Sequence, residues 1–163
     1  MQTQLHRTRH FVQDRRGAAA VEFAVLVPLF LMLVMGTWEM GTALTAGTKM
    51  AAAVREGGRL ASMDFPESLN PGETINQKVE KDIKNFLTAS GIPGQFVTVT
   101  VTHAEGENAG STFDIADPDN YLKLFTITAL VDYENISNFP LDYMDGQQIE
   151  AKLTFRLGRI ALD

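Results

Sequence analysis

From Ala18 to Trp38 the chain reads AAAVEFAVLVPLFLMLVMGTW, and this run limits what the rest can become. It holds one charge, Glu22. A helix of this length spans roughly 31 Å at about 1.5 Å per residue, and the hydrocarbon core of a bilayer is about 30 Å thick. The run is apolar on every side, which suits lipid better than one face of a soluble domain. Two other readings compete. A buried soluble helix would need more chain around it than remains. A cleaved secretory signal would have an apolar region of about 7–15 residues followed by a small-x-small site, whereas the best such site, after Ala46, is preceded by Leu44.

Charge sets the expected direction of the span. Residues 1–17 carry a net +3, residues 62–163 a net −9, and residues 18–61 balance to zero. The positive-inside rule predicts a cytoplasmic N-terminal tail and an extracytoplasmic acidic body, with Trp38 at the interface where the span leaves the lipid. The acidic balance argues against nucleic acid as a partner. The absence of cysteine excludes a disulfide scaffold, a thiolate metal site and a cysteine nucleophile. Two residues within the span have a cost. Pro28 removes a backbone donor and predicts a local kink. Glu22 would cost about 2.5–3.5 kcal/mol at mid-bilayer. Either it reaches the headgroups, being five residues in, or it pairs with a specific positive group.

The residues before and after the span carry a resemblance. Arg15-Arg16-Gly17-Ala18-Ala19-Ala20-Val21-Glu22-Phe23 resembles the processing site of type IV prepilins. In that family a basic leader ends in Gly, a membrane aspartyl peptidase cuts after it, and the mature fifth residue is Glu. An aromatic follows in the subgroup that builds tight-adherence pili. Trp38-Glu39-Met40-Gly41 and Ala51-Ala52-Ala53-Val54-Arg55-Glu56-Gly57-Gly58-Arg59-Leu60-Ala61 extend the match to the TadE-like pilus-assembly family, with Val54 and Gly58 standing where Ala is usual. The resemblance implies a leader 1–17 cleaved between Gly17 and Ala18, with Glu22 and Phe23 part of the recognised site. It further implies that the Glu22 carboxylate neutralises the new α-amine of a neighbouring subunit. Subunit or assembly contacts are expected at Glu22, Pro28, Trp38, Glu39, Gly41, Arg55, Glu56 and Arg59. For the last three, local ion pairs are the plainer alternative. The implied partners are a prepilin peptidase, other pilin and pseudopilin subunits, an inner-membrane assembly platform and the lipid bilayer.

Beyond the span, residues 39–61 contain no Pro, and a helix is expected to continue to about Arg55, where Gly57-Gly58 offers a stop, with weaker helix on to Ala61 as the alternative. Gly36, Gly41 and Gly47 allow either close helix approach or flexibility. Residues 62–72 read as a loop. Glu73–Ser90 predicts a second, amphipathic helix with Ile75, Val79, Ile83, Phe86 and Leu87 on one face, ended by Gly91 and Pro93. Phe96–Thr102, Tyr121–Tyr133 and Ile149–Leu157 alternate as strands with one apolar face each, which predicts a small antiparallel sheet. The expected class is α+β: a leader (1–17), a span (18–38), its helical continuation (39–61) and an outer domain (62–163). The resemblance adds the pilin layout, a long N-terminal helix packed on the sheet.

The polar clusters are sparse. His103-Ala-Glu105-Gly-Glu107 and Asp114-x-x-Asp117-x-Asp119 lie in one loop between strands, where solvated acids are the default; the second lacks the Gly and closing Glu of an EF-hand, and Pro118 interrupts it. His103 is the only histidine outside the leader, so no Ser/His/Asp set is available, and no phosphate-binding Gly loop is present. No enzyme activity, metal or cofactor is expected. The function expected is that of a minor pilin or pseudopilin of a tight-adherence type IVb pilus, serving adhesion and biofilm formation. The alternatives are a permanently anchored inner-membrane protein with a non-catalytic periplasmic binding domain, and a calcium-binding adhesin domain on a stalk.

Overall fold

The computed structural model describes residues 15–62, 69–137, 144 and 146–158. The chain divides into two compact units that part between Thr37 and Trp38. Its elements are α1 (Arg15–Ala61), α2 (Ile75–Ala89), β1 (Thr98–His103), β2 (Leu124–Asp132) and β3 (Gln148–Arg156), with short 3₁₀ turns at Gly94–Phe96, Pro118–Asn120 and Tyr133–Asn135. This is an α+β fold: a long apolar N-terminal helix, a second helix and a three-stranded antiparallel sheet.

In the first unit α1 is helical through Pro28. Its large apolar side chains, among them Phe23, Leu26, Phe30 and Leu33, are exposed. The candidate membrane span lies on this helix, and none of its most apolar stretch is buried.

In the second unit α1 becomes a packed helix. Ala46, Met50, Ala53 and Val54 recur at three- and four-residue steps and are fully buried, the pattern of a helix laid on a core. α1 runs past Gly57-Gly58 to Ala61, the longer of the two extents expected. These glycines sit where neighbours press on the backbone. A β-carbon on Gly57 would overlap Ile83 of α2, and one on Gly58 would overlap the Phe155 ring of β3. Local composition suggested a terminus, but close packing is what requires glycine there.

α2 starts two residues later than the pattern predicted. Thr74 caps it in a reciprocal box: the Thr74 hydroxyl accepts from the Gln77 N–H at 3.2 Å, and the Thr74 N–H donates to Gln77 Oε1 at 2.9 Å. Both bonds satisfy donors a helix start leaves open. Ile75, Val79, Ile83 and Leu87 form its buried face. Lys78–Asp82 and Lys84–Glu80 pair across one turn on its outer side. At the far end Lys49 of α1 donates to the Ser90 carbonyl at 2.7 Å, placing a cation where the helix dipole is negative.

The sheet order is β1-β2-β3. Thr98 faces Leu130 and His103 faces Phe125 across the first pair; Leu124 faces Arg156 and Asp132 faces Gln148 across the second. β1 begins two residues later than predicted, because Phe96 is taken into the turn before it. Phe125, Ile127, Ala129 and Val131 are the buried face of β2, matching the alternation. Phe113, Phe125 and Phe155 stack in sequence, with ring centroids 5.2 and 5.8 Å apart. On the opposite face Thr126 and Thr154 share a hydroxyl hydrogen bond of 2.9 Å. The outer edge of β1 is occupied over half its length, since Phe113 N–H donates to Val101 O at 3.0 Å and His103 N–H to Ser111 O at 2.9 Å. β3 is the other edge, and no described strand pairs with its outer side.

Asn76 ties the 103–120 connection to α2. Its Nδ2 donates to Phe113 O at 2.7 Å, and its Oδ1 accepts from Ile115 N–H at 3.0 Å. That anchor seats Phe113 and Ile115, both buried, in the core.

Candidate functional site

The residues with a functional expectation fall on α1. Gly17, Ala18, Glu22 and Phe23 are exposed on its first turns. Their arrangement leaves the backbone around Gly17 clear, with nothing within 4 Å of a β-carbon there. Glu22 is exposed among apolar neighbours. Pro28 lies one and a half turns on, also exposed.

The second group stands where α1 enters the second unit. Trp38 and Met40 are exposed, whereas Glu39 between them is 3% exposed. A helix turns by about 100° per residue, so position 39 faces the interior while 38 and 40 do not. Tyr133, at the end of β2, reaches across 94 positions and donates its hydroxyl to the Glu39 carbonyl at 3.1 Å. Burial pushes the Tyr133 hydroxyl pKa up, and the Glu39 carboxylate beside it adds to that; a hydrogen bond with Ser137 works in the opposite direction. Among the described residues, Glu39 Oε2 is buried with no hydrogen-bond partner. A buried carboxylate oxygen left without a partner is costly. Its burial places this expected contact residue against its own domain rather than on the open surface.

Gly41 has nothing within 4 Å of a β-carbon and belongs to an open groove of about 510 Å³. Trp38, Thr42, Thr45, Ala46 and Lys49 line one wall of this groove, and Gly91, Ile92 and Ile136 the other. Thr42 and Thr45 donate their hydroxyls to the carbonyls of Trp38 and Gly41 at 3.2 and 2.8 Å. Their hydroxyl donors are used within the helix, and the groove is of mixed lining, with Lys49 among its walls. It was not named from sequence, because its second wall, Gly91, Ile92 and Ile136, comes from distant parts of the chain.

At the far end of α1, Arg55 and Arg59 are exposed. Arg59 Nε donates to Glu56 Oε2 at 2.9 Å, so the local ion pair is made. That pairing lowers the Glu56 carboxyl pKa and raises the Arg59 guanidinium.

The acidic loop builds nothing comparable. His103 packs edge-on against Phe113 at 4.7 Å between centroids. Asp114 and Asp117 accept from the N–H groups of Ala116 and Asp119, two residues on, at 2.8 and 2.9 Å. Among the described residues no three His, Asp or Glu side chains are grouped to hold a metal ion.

Compared with known proteins, the chain matches no curated protein and no solved structure. The model of the TadE-like protein family matches residues 17–59. The matched stretch starts at the glycine before the apolar run and ends at Arg59. It therefore takes in the exposed start, the buried Glu39 and the Arg55–Arg59 turn, all on one helix. Over that segment the chain is similar to TadE-like proteins.

Proposed function

We propose that this chain is a minor pilin or pseudopilin of a tight-adherence type IVb pilus. In this reading it is inserted in the bacterial inner membrane with residues 1–17 in the cytoplasm. A prepilin peptidase cleaves it between Gly17 and Ala18, and it joins other pilin and pseudopilin subunits through an inner-membrane assembly platform. Its role is to help assemble a filament for adhesion and biofilm growth, with no chemistry of its own.

One observation carries the proposal. The TadE-like match and the apolar span occupy the same uninterrupted helix, with Gly17, Glu22 and Phe23 in the order a prepilin site requires. Two charges in a low-dielectric setting are each expensive alone and far less so together, which supports pairing of Glu22 with a subunit amine. Glu22→Gln is expected to lower incorporation into pili.

The deciding experiment is intact mass and N-terminal sequencing of the protein from membranes of its own host, with a peptidase-null strain beside it. A chain beginning at Ala18, only where the peptidase is active, supports the proposal. A chain retaining residues 1–17 in both strains overturns it and leaves a permanently anchored membrane protein with a non-catalytic outer domain.

A further inference from the structure

The groove on the second unit holds a cation that no described acid neutralises. Lys49 is half-buried, and its ammonium donates to the Ser90 carbonyl at 2.7 Å. An ammonium has three donors, and no described carboxylate pairs with this one. The carbonyl end of α2 offers it only about half a negative charge. No acid lines the groove, and Lys49 is the only cation between Arg16 and Arg55. The site is therefore set for an anion. The rest of the lining says what that anion carries. Trp38, Ala46, Ile92 and Ile136 offer apolar surface, and the hydroxyls of Thr42 and Thr45 are spent within α1.

The groove also has a direction. It starts at Trp38, where the apolar run ends, and reaches Lys49 about 16 Å further along α1. Its volume of about 510 Å³ is that of a small-molecule site. A ligand that is apolar toward Trp38 and anionic toward Lys49 matches both ends. A phospholipid has this polarity, with its acyl chains toward the span and its phosphate away from it. A free phosphate would meet Lys49 and leave the apolar wall bare. The headgroup layer adds only about 5–8 Å to the hydrocarbon core on each side. A phosphate at Lys49 therefore belongs to a lipid raised part-way out of its leaflet, with the groove covering the raised part of its chain. Side chains on a helix lean toward its N-terminus, which shortens the lift.

We propose that the groove between Trp38 and Lys49 binds one anionic phospholipid, its phosphate held by the Lys49 ammonium and one acyl chain laid along Trp38, Ala46 and Ile92. The proposal goes beyond the pilus reading and asks only that the span lie in a bilayer. Lys49 keeps its bond to Ser90 and uses its remaining donors on the phosphate.

Trp38 is the only tryptophan in the chain and lines the groove, so its fluorescence reports on the site. The full chain is reconstituted in vesicles of equal parts phosphatidylcholine and phosphatidylglycerol, with bromine, a quencher, on the acyl chains of one lipid or the other. Phosphatidylglycerol is expected to be preferred at Trp38 by about fivefold, the attraction of one lysine for an anionic lipid. The leader arginines also attract this lipid, but at the other end of the span, about 30 Å away along the helix. Lys49→Gln is expected to abolish the preference and Lys49→Arg to keep it. Lys81→Gln, which removes an exposed lysine on α2, is expected to leave it unchanged. Thermal melting in detergent shows which variants fold. Thr45→Phe fills the groove from an exposed position and is also expected to abolish the preference, which decides the matter if Lys49→Gln does not fold. Equal quenching by the two lipids, or a preference that survives in folded Lys49→Gln or Thr45→Phe, would overturn the proposal. So would a preference erased by inorganic phosphate at matched ionic strength, which marks a site for a free anion. A chain that does not enter the vesicles defeats the span and the groove together.

Discussion

The Phe155 ring occupies the space where a side chain at position 58 would begin, so Gly58 of α1 and Phe155 of β3 meet with no atom to spare. Gly58→Ala is expected to push the ring off its place and cost about 1–3 kcal/mol, the usual penalty of overpacking. Gly41→Ala is the control. Nothing lies within 4 Å of a β-carbon there, so it is expected to raise stability by up to about 1 kcal/mol through helix propensity. Chemical denaturation of the full chain in detergent measures both, and equal effects would show that the contact at 58 is not tight.

Tyr133 links the end of β2 to the α1 backbone. Tyr133→Phe removes the hydrogen bond to the Glu39 carbonyl and is expected to cost about 1 kcal/mol. The native side chain also sets a pH dependence. Its folded pKa is raised above the ordinary 10.0, chiefly by burial. The unfolded chain therefore releases this proton first. The stabilisation is complete below the unfolded value and is lost as pH rises through the folded one. Melting temperature followed above about pH 10 should fall more steeply in the native chain than in Tyr133→Phe.

Asn76 holds the long connection before β2 by both ends of its amide. Asn76→Ala strands a carbonyl at Phe113 and an N–H at Ile115, for an expected loss of about 2 kcal/mol. Hydrogen exchange should show the Ile115 amide losing protection. An unchanged Ile115 amide would mean that the connection is held by its apolar side chains alone.

Leu122 has a positive φ of 62° and an exposed side chain, while its N–H donates to Leu157 O at 2.9 Å. A left-handed conformation costs a branched residue about 1–2 kcal/mol. Leu122→Gly should relieve that strain while losing little burial, and the expected result is a gain of about 0.5–1 kcal/mol. A loss on thermal melting would show that the Leu122 side chain contributes packing there.

Much of the fold was legible because it is written in local periodicity. The alternation of Ile149, Ala151, Leu153 and Phe155 gave β3 its inner face, and the spacing of Ile75, Val79, Ile83 and Leu87 gave α2 its buried side. The role of the Gly57-Gly58 pair could not be read locally, because a glycine pair has the same signature at a helix end and at a close crossing; Ile83 and Phe155, which decide between them, come from other elements. The candidate site divided in the same way. Glu22, Trp38 and Arg55 could be placed on a helix from the sequence pattern, whereas Gly17 was expected in the leader and lies on the first turn of α1. The burial of Glu39 could not, because it depends on the fold bringing Tyr133 to it across 94 positions. Asn76 gave no signal at all, since one polar residue on an amphipathic helix looks like any solvated one.

The occupied outer edge of β1 makes the sheet one-sided. Segment 111–113 already bonds to Val101 and His103, while no described strand pairs with the outer side of β3, whose exposed residues include Glu150, Lys152 and Arg156. Two such domains set side by side in one orientation would bring β3 against an edge already occupied over half its length, which limits the pairing of their sheets. Charged side chains on the open edge discourage stray strands as well. Many copies can therefore be crowded together by their helices without their outer domains condensing into a continuous β-structure.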